Sequence, residues 1–241
     1  MSQRKSMRSE KNSRSQIIRN AEIDLEEENH IVGMVIRYLF ANNRLKTAIH
    51  GDQIKKNYLA GSSQNYSSII IKVKQTLQEI FGYELIDIGG LKYILVNKIN
   101  NPYLESSNKD AAENTLLFLT LTYIFMSCDN EATPFAKEDD LWEYFTNLKI
   151  IKDENFQHHY FGNVRRLITV QFVDQLYLTR RKIPGTEEIV YEWGPRANAE
   201  ITRRSILEFV SKVYNDRPIE SWPAQAGAMR ESEKLNIQGN E

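Results

Sequence analysis

Two β-rich runs meet at a glycine pair in YELIDIGGLKYILV (Tyr83–Val96), directly after a helical stripe, and the same succession recurs later in the chain. This repeated plan limits the fold more than any single motif. In the first half Ile31, Val35 and Leu39 mark one face of a helix, and a short helix follows around Gly51–Tyr58. Ile70, Val73, Leu77 and Ile80 then mark a third helix at i, i+3, i+7, i+10 spacing, ending near Gly82. A hairpin turning at Gly89-Gly90 completes the set. In the second half Leu116–Met126 is the first helix, apolar nearly all round; Leu141, Phe145 and Leu148 mark the second; Val164, Leu167, Ile168 and Phe172 mark the third. Leu176–Ile183 and Glu188–Trp193 read as strands joined across Pro184-Gly185. YEWGPRA (Tyr191–Ala197) closes that hairpin, with Gly194 read as supplying an unusual backbone conformation and Pro195 as opening a long last helix with Ile206, Phe209, Val210 and Val213 on one face.

Three helices followed by a hairpin, twice over, predict a mainly α protein with small β-hairpins (α+β), a tandem of winged-helix domains. The expected boundaries are a disordered tail over 1–28, a first domain over 29–99, a linker over 100–110, a second domain with its C-terminal helix over 111–221, and a flexible tail over 222–241. Met1–Asn20 carry six Lys/Arg and one Asp/Glu, and EIDLEEE (Glu22–Glu28) reverses the sign. The basic arm is read as a solvated tail, a DNA contact or an import signal. A formal net charge of −1 gives no global drive toward nucleic acid, so such binding must come from a local patch. One cysteine, Cys128, excludes an internal disulfide framework. The longest apolar run has 11 residues, short of the ~20 a membrane span needs, and the N-terminus lacks a secretory hydrophobic core.

YELIDI…YILVNKI, DDLWEYF, FGNVRRLIT, LYLTRRKIPG and YEWGPRANAE occur in that order over roughly residues 30–222. Together they resemble the MAGE homology domain, the family of the melanoma-associated antigens. The resemblance implies two tandem winged helices, no catalytic activity, no cofactor, and an adaptor that docks on a RING-type ubiquitin ligase. The absence of a long acidic N-terminal extension agrees better with the ancestral type. That type implies a nuclear subunit of the five–six structural-maintenance-of-chromosomes complex, acting in DNA repair beside a RING protein and a kleisin. The family's RING-docking stretch maps onto Met34, Val35, Ile36 and Leu39; Arg37 stands where the family more often has an apolar residue. The bland alternative is that these four residues are simply core.

No chemistry-bearing constellation emerges from the residues. His158 and His159 are adjacent and point different ways, no HExxH occurs, and Cys128 has no second cysteine beside it. Glu138, Asp139 and Asp140 read as the acidic first turn of a helix. No small-molecule substrate is implied. For DNA the candidates are Arg165 and Arg166 on the third helix of the second half, and Arg180, Arg181 and Lys182 on its hairpin. Strand alternation keeps all five off one surface. The first half is also basic, with six Lys/Arg and only Asp52 between Arg44 and Lys74. Gln171 and Asn163 are the only obvious base-reading amides on the second half's helix, so binding of double-stranded DNA should be weakly sequence-selective. The competing reading is a free-standing winged-helix transcription regulator. Trp193 is read as core rather than as a partner's anchor, and Arg196 as paired with Glu192 or Glu200.

Overall fold

A computed structural model describes residues 24–62, 64–99, 108–127, 134–152 and 155–238. The tail up to residue 23, Cys128 and the linker over 100–107 lie outside the described residues. The chain divides into two compact units, Met1–Leu45 with Ile49–Ile99, and Lys46–Ala48 with Asn100–Glu241. Both are mainly helical and carry small antiparallel sheets.

In the first unit helix α1 spans 24–43, so the helix begins inside the segment expected to be tail. Strand β1 (Ile49–His50) leads into α2 (Gly51–Ile54), which widens into a π-helical turn over Lys55–Leu59. Helix α3 (Tyr66–Thr76) likewise widens over Leu77–Phe81, and β2 (Tyr83–Asp87) and β3 (Lys92–Asn97) follow. The strands pair antiparallel in the order β1-β3-β2, with Leu85 opposite Leu95. Ile31, Val32, Val35, Ile36 and Leu39 of α1 pack with Ile69, Ile70, Val73 and Leu77 of α3 and with Leu85 and Leu95. The Asn65 side chain caps α3 by accepting from the Ser67 N–H at 2.8 Å. Ile80 does not join this core: it is 71% exposed. The extra residue in each π turn shifts the stripe by about one position, so a strict 3.6-residue extrapolation points the wrong side chain inward.

The second unit repeats the order of elements. Helix α4 (Asn108–Met126) starts within the segment read as linker; β4 (Phe135–Lys137), α5 (Glu138–Asn147), α6 (Val164–Arg166), a π turn over Leu167–Gln171, α7 (Phe172–Asp174), β7 (Leu178–Lys182) and β8 (Ile189–Trp193) complete the plan. The sheet order is β4-β8-β7, matching the first unit strand for strand. One small hairpin, β5 (Gln157–His158) with β6 (Gly162–Asn163), is added before α6. Helix α4 is apolar all round because it serves two clusters: Leu116, Leu117, Leu121 and Ile124 join the main core, while Phe118, Phe125 and Met126 face a second one. Leu148, expected in the α5 stripe, lies past the helix end and is exposed.

Beyond β8 the structure departs from the sequence reading. Pro195 opens a six-residue helix, α8 (Pro195–Glu200), not a long one. Ile201 is extended, and the Thr202 side chain caps a separate helix, α9 (Arg203–Val213), by accepting from the Ser205 N–H. Ile206, Leu207 and Val210 are buried on α9, whereas Phe209 and Val213 are exposed. The segment expected as a flexible tail from 222 is instead a helix, α10 (Pro223–Gln238). Its Ala228 and Met229 bury with Ile206, Leu207 and Val210 of α9, Ala226 is buried too, and Gln225 Nε2 donates to the Met126 carbonyl at 3.0 Å. Small apolar side chains pack closely without a strong hydrophobic stripe, which is why this helix was missed.

Candidate macromolecule-binding surfaces

Of the four residues mapped to RING docking, Val35 and Leu39 are 0% exposed and Ile36 is buried. They are core, and this corrects the expectation that they face a partner. Positions 35, 36 and 39 share one side of α1, and that side is covered by α3 and the sheet. Met34 is half-buried, and Gly33, Arg37 and Ala41 face outward. One accessible apolar patch of this unit lies at the end of α3 instead. Phe40 makes edge-to-face ring contacts with Phe81 at 5.3 Å and with Tyr83 at 5.1 Å, and Ile80, Phe81 and Ile99 are exposed. The glycine at 82, with φ of 66°, lets the chain turn there.

The five arginine and lysine candidates of the second unit fall into two groups. Arg165 and Arg166 are exposed on α6, with the Arg165 guanidinium 5.2 Å from the Phe156 ring centroid. Neither forms an ion pair with a described residue. The hairpin cations are held by carboxylates: Arg180 by Glu138 at 3.4 Å, Arg181 by Glu192, and Lys182 by Glu187 at 2.6 Å. Lys137 bonds Glu188 at 3.0 Å, and this raises the affinity of the lysine for its proton. The β7–β8 hairpin therefore carries as many carboxylates as cations and has little net positive field. Both amides read as base contacts are also committed. Asn163 Oδ1 accepts from the Arg166 N–H at 2.9 Å, and Gln171 Nε2 donates to Glu113 at 2.5 Å.

The WGPRA stretch is structural. Gly194 N–H donates to the Tyr177 carbonyl at 2.8 Å and Arg196 N–H to the Leu176 carbonyl at 3.0 Å. Gly194 has φ of −78° and ψ of 170°, ordinary extended backbone, so the expected special conformation is absent. Space is what matters: a Cβ there would lie 2.2 Å from the Leu176 carbonyl oxygen. Arg196, 1% exposed, donates to the Gln175 carbonyl and to Glu200 Oε1, each at 3.0 Å, while Tyr177 donates to the other Glu200 oxygen. Glu200 is thus its partner and Glu192 is not. Burial, then the Glu200 carboxylate, drives the Tyr177 hydroxyl well above the usual tyrosine range. Trp193 is half-buried and donates from Nε1 to the Leu121 carbonyl at 3.0 Å.

Among the described residues no three His, Cys, Asp or Glu side chains converge to hold a metal, and no helix is long and apolar enough to cross a membrane. A cleft of about 100 Å³ lined by Trp193, Thr202, Arg203 and Glu233 falls below the ~300–1,000 Å³ of small-molecule sites. The fold and its surfaces together define an α+β protein of two units with one shared plan and outward cationic and apolar patches.

The chain belongs to the MAGE homology domain family, whose model matches residues 89–204. It is 31% identical over 202 residues to the non-structural maintenance of chromosomes element 3 homologs of Homo sapiens and Mus musculus, covering 80% of this chain and 64% and 69% of those proteins. Melanoma-associated antigen F1 of Homo sapiens is 31% identical over 82% of this chain and 64% of its own length. The chain thus spans about two thirds of the length of these three relatives. A chain of a solved "Nse1-Nse3-Nse4 complex" superposes with a TM-score of 0.75 and 32% identity, over 85% of this chain and 98% of that one.

Proposed function

We propose that the protein is a non-catalytic adaptor subunit of the five–six structural-maintenance-of-chromosomes complex, acting in the nucleus in DNA repair and genome maintenance. The observation that carries this reading is the likeness, over nearly the whole of the matched chain, to a component of an Nse1-Nse3-Nse4 assembly. Each unit is read as a winged helix, and the repeated sheet orders β1-β3-β2 and β4-β8-β7 support that reading. The first unit docks a RING-type ubiquitin ligase subunit. Its docking surface is Phe40, Ile80 and Phe81, with Met34 the remaining accessible member of the original four. The second unit docks a kleisin, for which the exposed Phe209, Val213 and Tyr214 around α9 offer aromatic and apolar anchors. Its contact with double-stranded DNA rests on Arg165 and Arg166, since the hairpin cations are already neutralised.

Co-purification with the RING subunit tests the adaptor reading. Ile80→Asp with Phe81→Asp should abolish capture while the circular dichroism of the chain stays unchanged, because both side chains are exposed. Capture at wild-type yield would sink the surface, and failure of the wild-type chain to capture any RING protein would sink the function.

A further inference from the structure

Helix α10 covers the third cluster of the second unit with few apolar side chains of its own. Phe125, Ile206, Leu207 and Val210 form the floor, with Trp193 and Ile201 packed beside them. From α10 only Ala228 and Met229 join this cluster, far less apolar surface than a full helical stripe would bring. Much of the attachment is polar. Gln225, 7% exposed, donates to the Met126 carbonyl at 3.0 Å, Arg203 Nη1 donates to the Ala228 carbonyl at 3.1 Å, and the Arg204–Glu233 pair faces solvent. The fit is also incomplete. The cleft of about 100 Å³ at Trp193, Ile201, Arg203 and Met229 reaches Ser232 of α10, and it has room for several waters. A second gap of about 30 Å³ shares Trp193 and Arg203 with it and touches Phe125. On α4 the Thr122 hydroxyl, one turn from both Phe118 and Met126, is buried without a hydrogen-bond partner among the described residues. Residues 214–222 connect α9 to α10, and Asn215 and Asp216 are both left-handed there, with φ of 57° and 55°. Such a bend at an element's end is where a hinge absorbs motion.

We propose that α10 is a displaceable, built-in occupant of a helix-binding groove, and that an amphipathic helix of a partner protein takes its place. The occupant is a helix because the groove already seats one, apolar side down. A branched apolar side chain at the position of Ser232 fills the cleft that α10 leaves open, and a carboxylate at the next position meets Arg204 as Glu233 does. The tether holds α10 over the groove at an effective concentration of about millimolar, so a helix that adds no contact cannot displace it. The affinity for a helix supplied from outside is its intrinsic affinity scaled by the fraction of chains with α10 lifted. The cover therefore acts as a threshold that selects helices able to fill the cleft. Phe209 and Val213 stay exposed while α10 is seated, so kleisin docking at those residues is a separate contact.

Fluorescence anisotropy of the full chain with a labelled synthetic peptide provides the test. The peptide has the sequence of Pro223–Gln238 with Ser232→Leu. Ser232→Leu in the chain itself fills the cleft from within and should weaken peptide binding by about tenfold. Gln225→Ala loosens the cover and should tighten binding by about threefold or more. Arg204 is exposed, so Arg204→Glu keeps the fold. That variant should prefer a peptide that also carries Glu233→Lys, whereas the wild-type chain prefers the peptide with Glu233. At saturation, hydrogen exchange should rise in the chain's own α10 while α9 keeps its protection. Equal affinity of the wild-type and Ser232→Leu chains would overturn the proposal, as would a charge preference that does not reverse. Peptide bound with α10 still protected would place the site elsewhere, and no binding even to the Gln225→Ala chain would mean that α10 is a fixed part of the core. Light scattering that shows the Gln225→Ala chain pairing with itself would make a second copy the occupant and end the partner reading.

Discussion

At Gly194 the Leu176 carbonyl leaves no room for a side chain, although the backbone angles suit any residue. Gly194→Ala should therefore cost about 1–3 kcal/mol through forced displacement of the Leu176–Tyr177 backbone. Chemical denaturation read at Trp193 checks this; a midpoint equal to wild type would show that the strand can yield. His158 carries a second residue-scale expectation. Its Nδ1 accepts from the Tyr160 and Phe161 N–H groups at 3.2 and 3.3 Å, which requires an unprotonated nitrogen. Desolvation, then His159 and Lys152, lowers its proton affinity below the ordinary value of 6.5. With the folded value depressed, the unfolded chain binds more protons as pH falls below 6.5, so the β5–β6 turn loses stability on acidification. Protection of the Tyr160 and Phe161 amides, taken relative to their intrinsic exchange rate at each pH, should fall from pH 7.5 to 5.5, and His158→Ala should leave it low at both.

At the scale of elements, the sequence showed where helices and hairpins lie but not which way some of them face. The third-helix stripes could be read because Ile70, Val73 and Val164 obey a helical period ahead of each π turn, and Leu167 and Ile168 stand at the start of one. Within the π turn over Leu77–Phe81 the register slips, which is why a 3.6-residue period puts Ile80 in the core although it is 71% exposed. The strands β1 and β4, two and three residues long, are too short to leave a period-two signal. The repeat itself had a visible trace in NYSSII and NVRRLI, where an asparagine cap precedes two core residues at the same distance. On α1, a helix that buries Val35, Ile36 and Leu39 reads identically whether a partner or the chain's own α3 does the covering. One substitution separates the two. Val35→Asp puts an unpaired carboxylate into a closed core and should unfold the first unit, with loss of its helical amide protection. A folded Val35→Asp chain would mean that α1 opens on the partner side.

At the scale of the whole molecule, the two units hold separate cores, and the second unit adds a third cluster in which α10 closes over α9 and Phe125. That cluster joins Ile206, Leu207 and Val210 to Ala228 and Met229, and Arg204 clamps Glu233 with Nε at 2.8 Å and Nη2 at 3.1 Å. The exposed ion pair adds little by itself, since the solvent screens it. The stabilisation is apolar and comes from α10 lying on α9. Removing the chain after Ser221 should therefore uncover Ile206, Leu207 and Val210, whose burial is worth about 1.5–3 kcal/mol for each large side chain. Part of that surface is covered by α4 in either case, so the expected loss is smaller than the full sum. Hydrogen exchange should rise in α9 and in the last turns of α4 around Phe125, while α1, α3 and the β2–β3 hairpin keep their protection. Unchanged protection in α9 after the truncation would mean that α10 contributes no closure and that the third cluster is held by α4 alone.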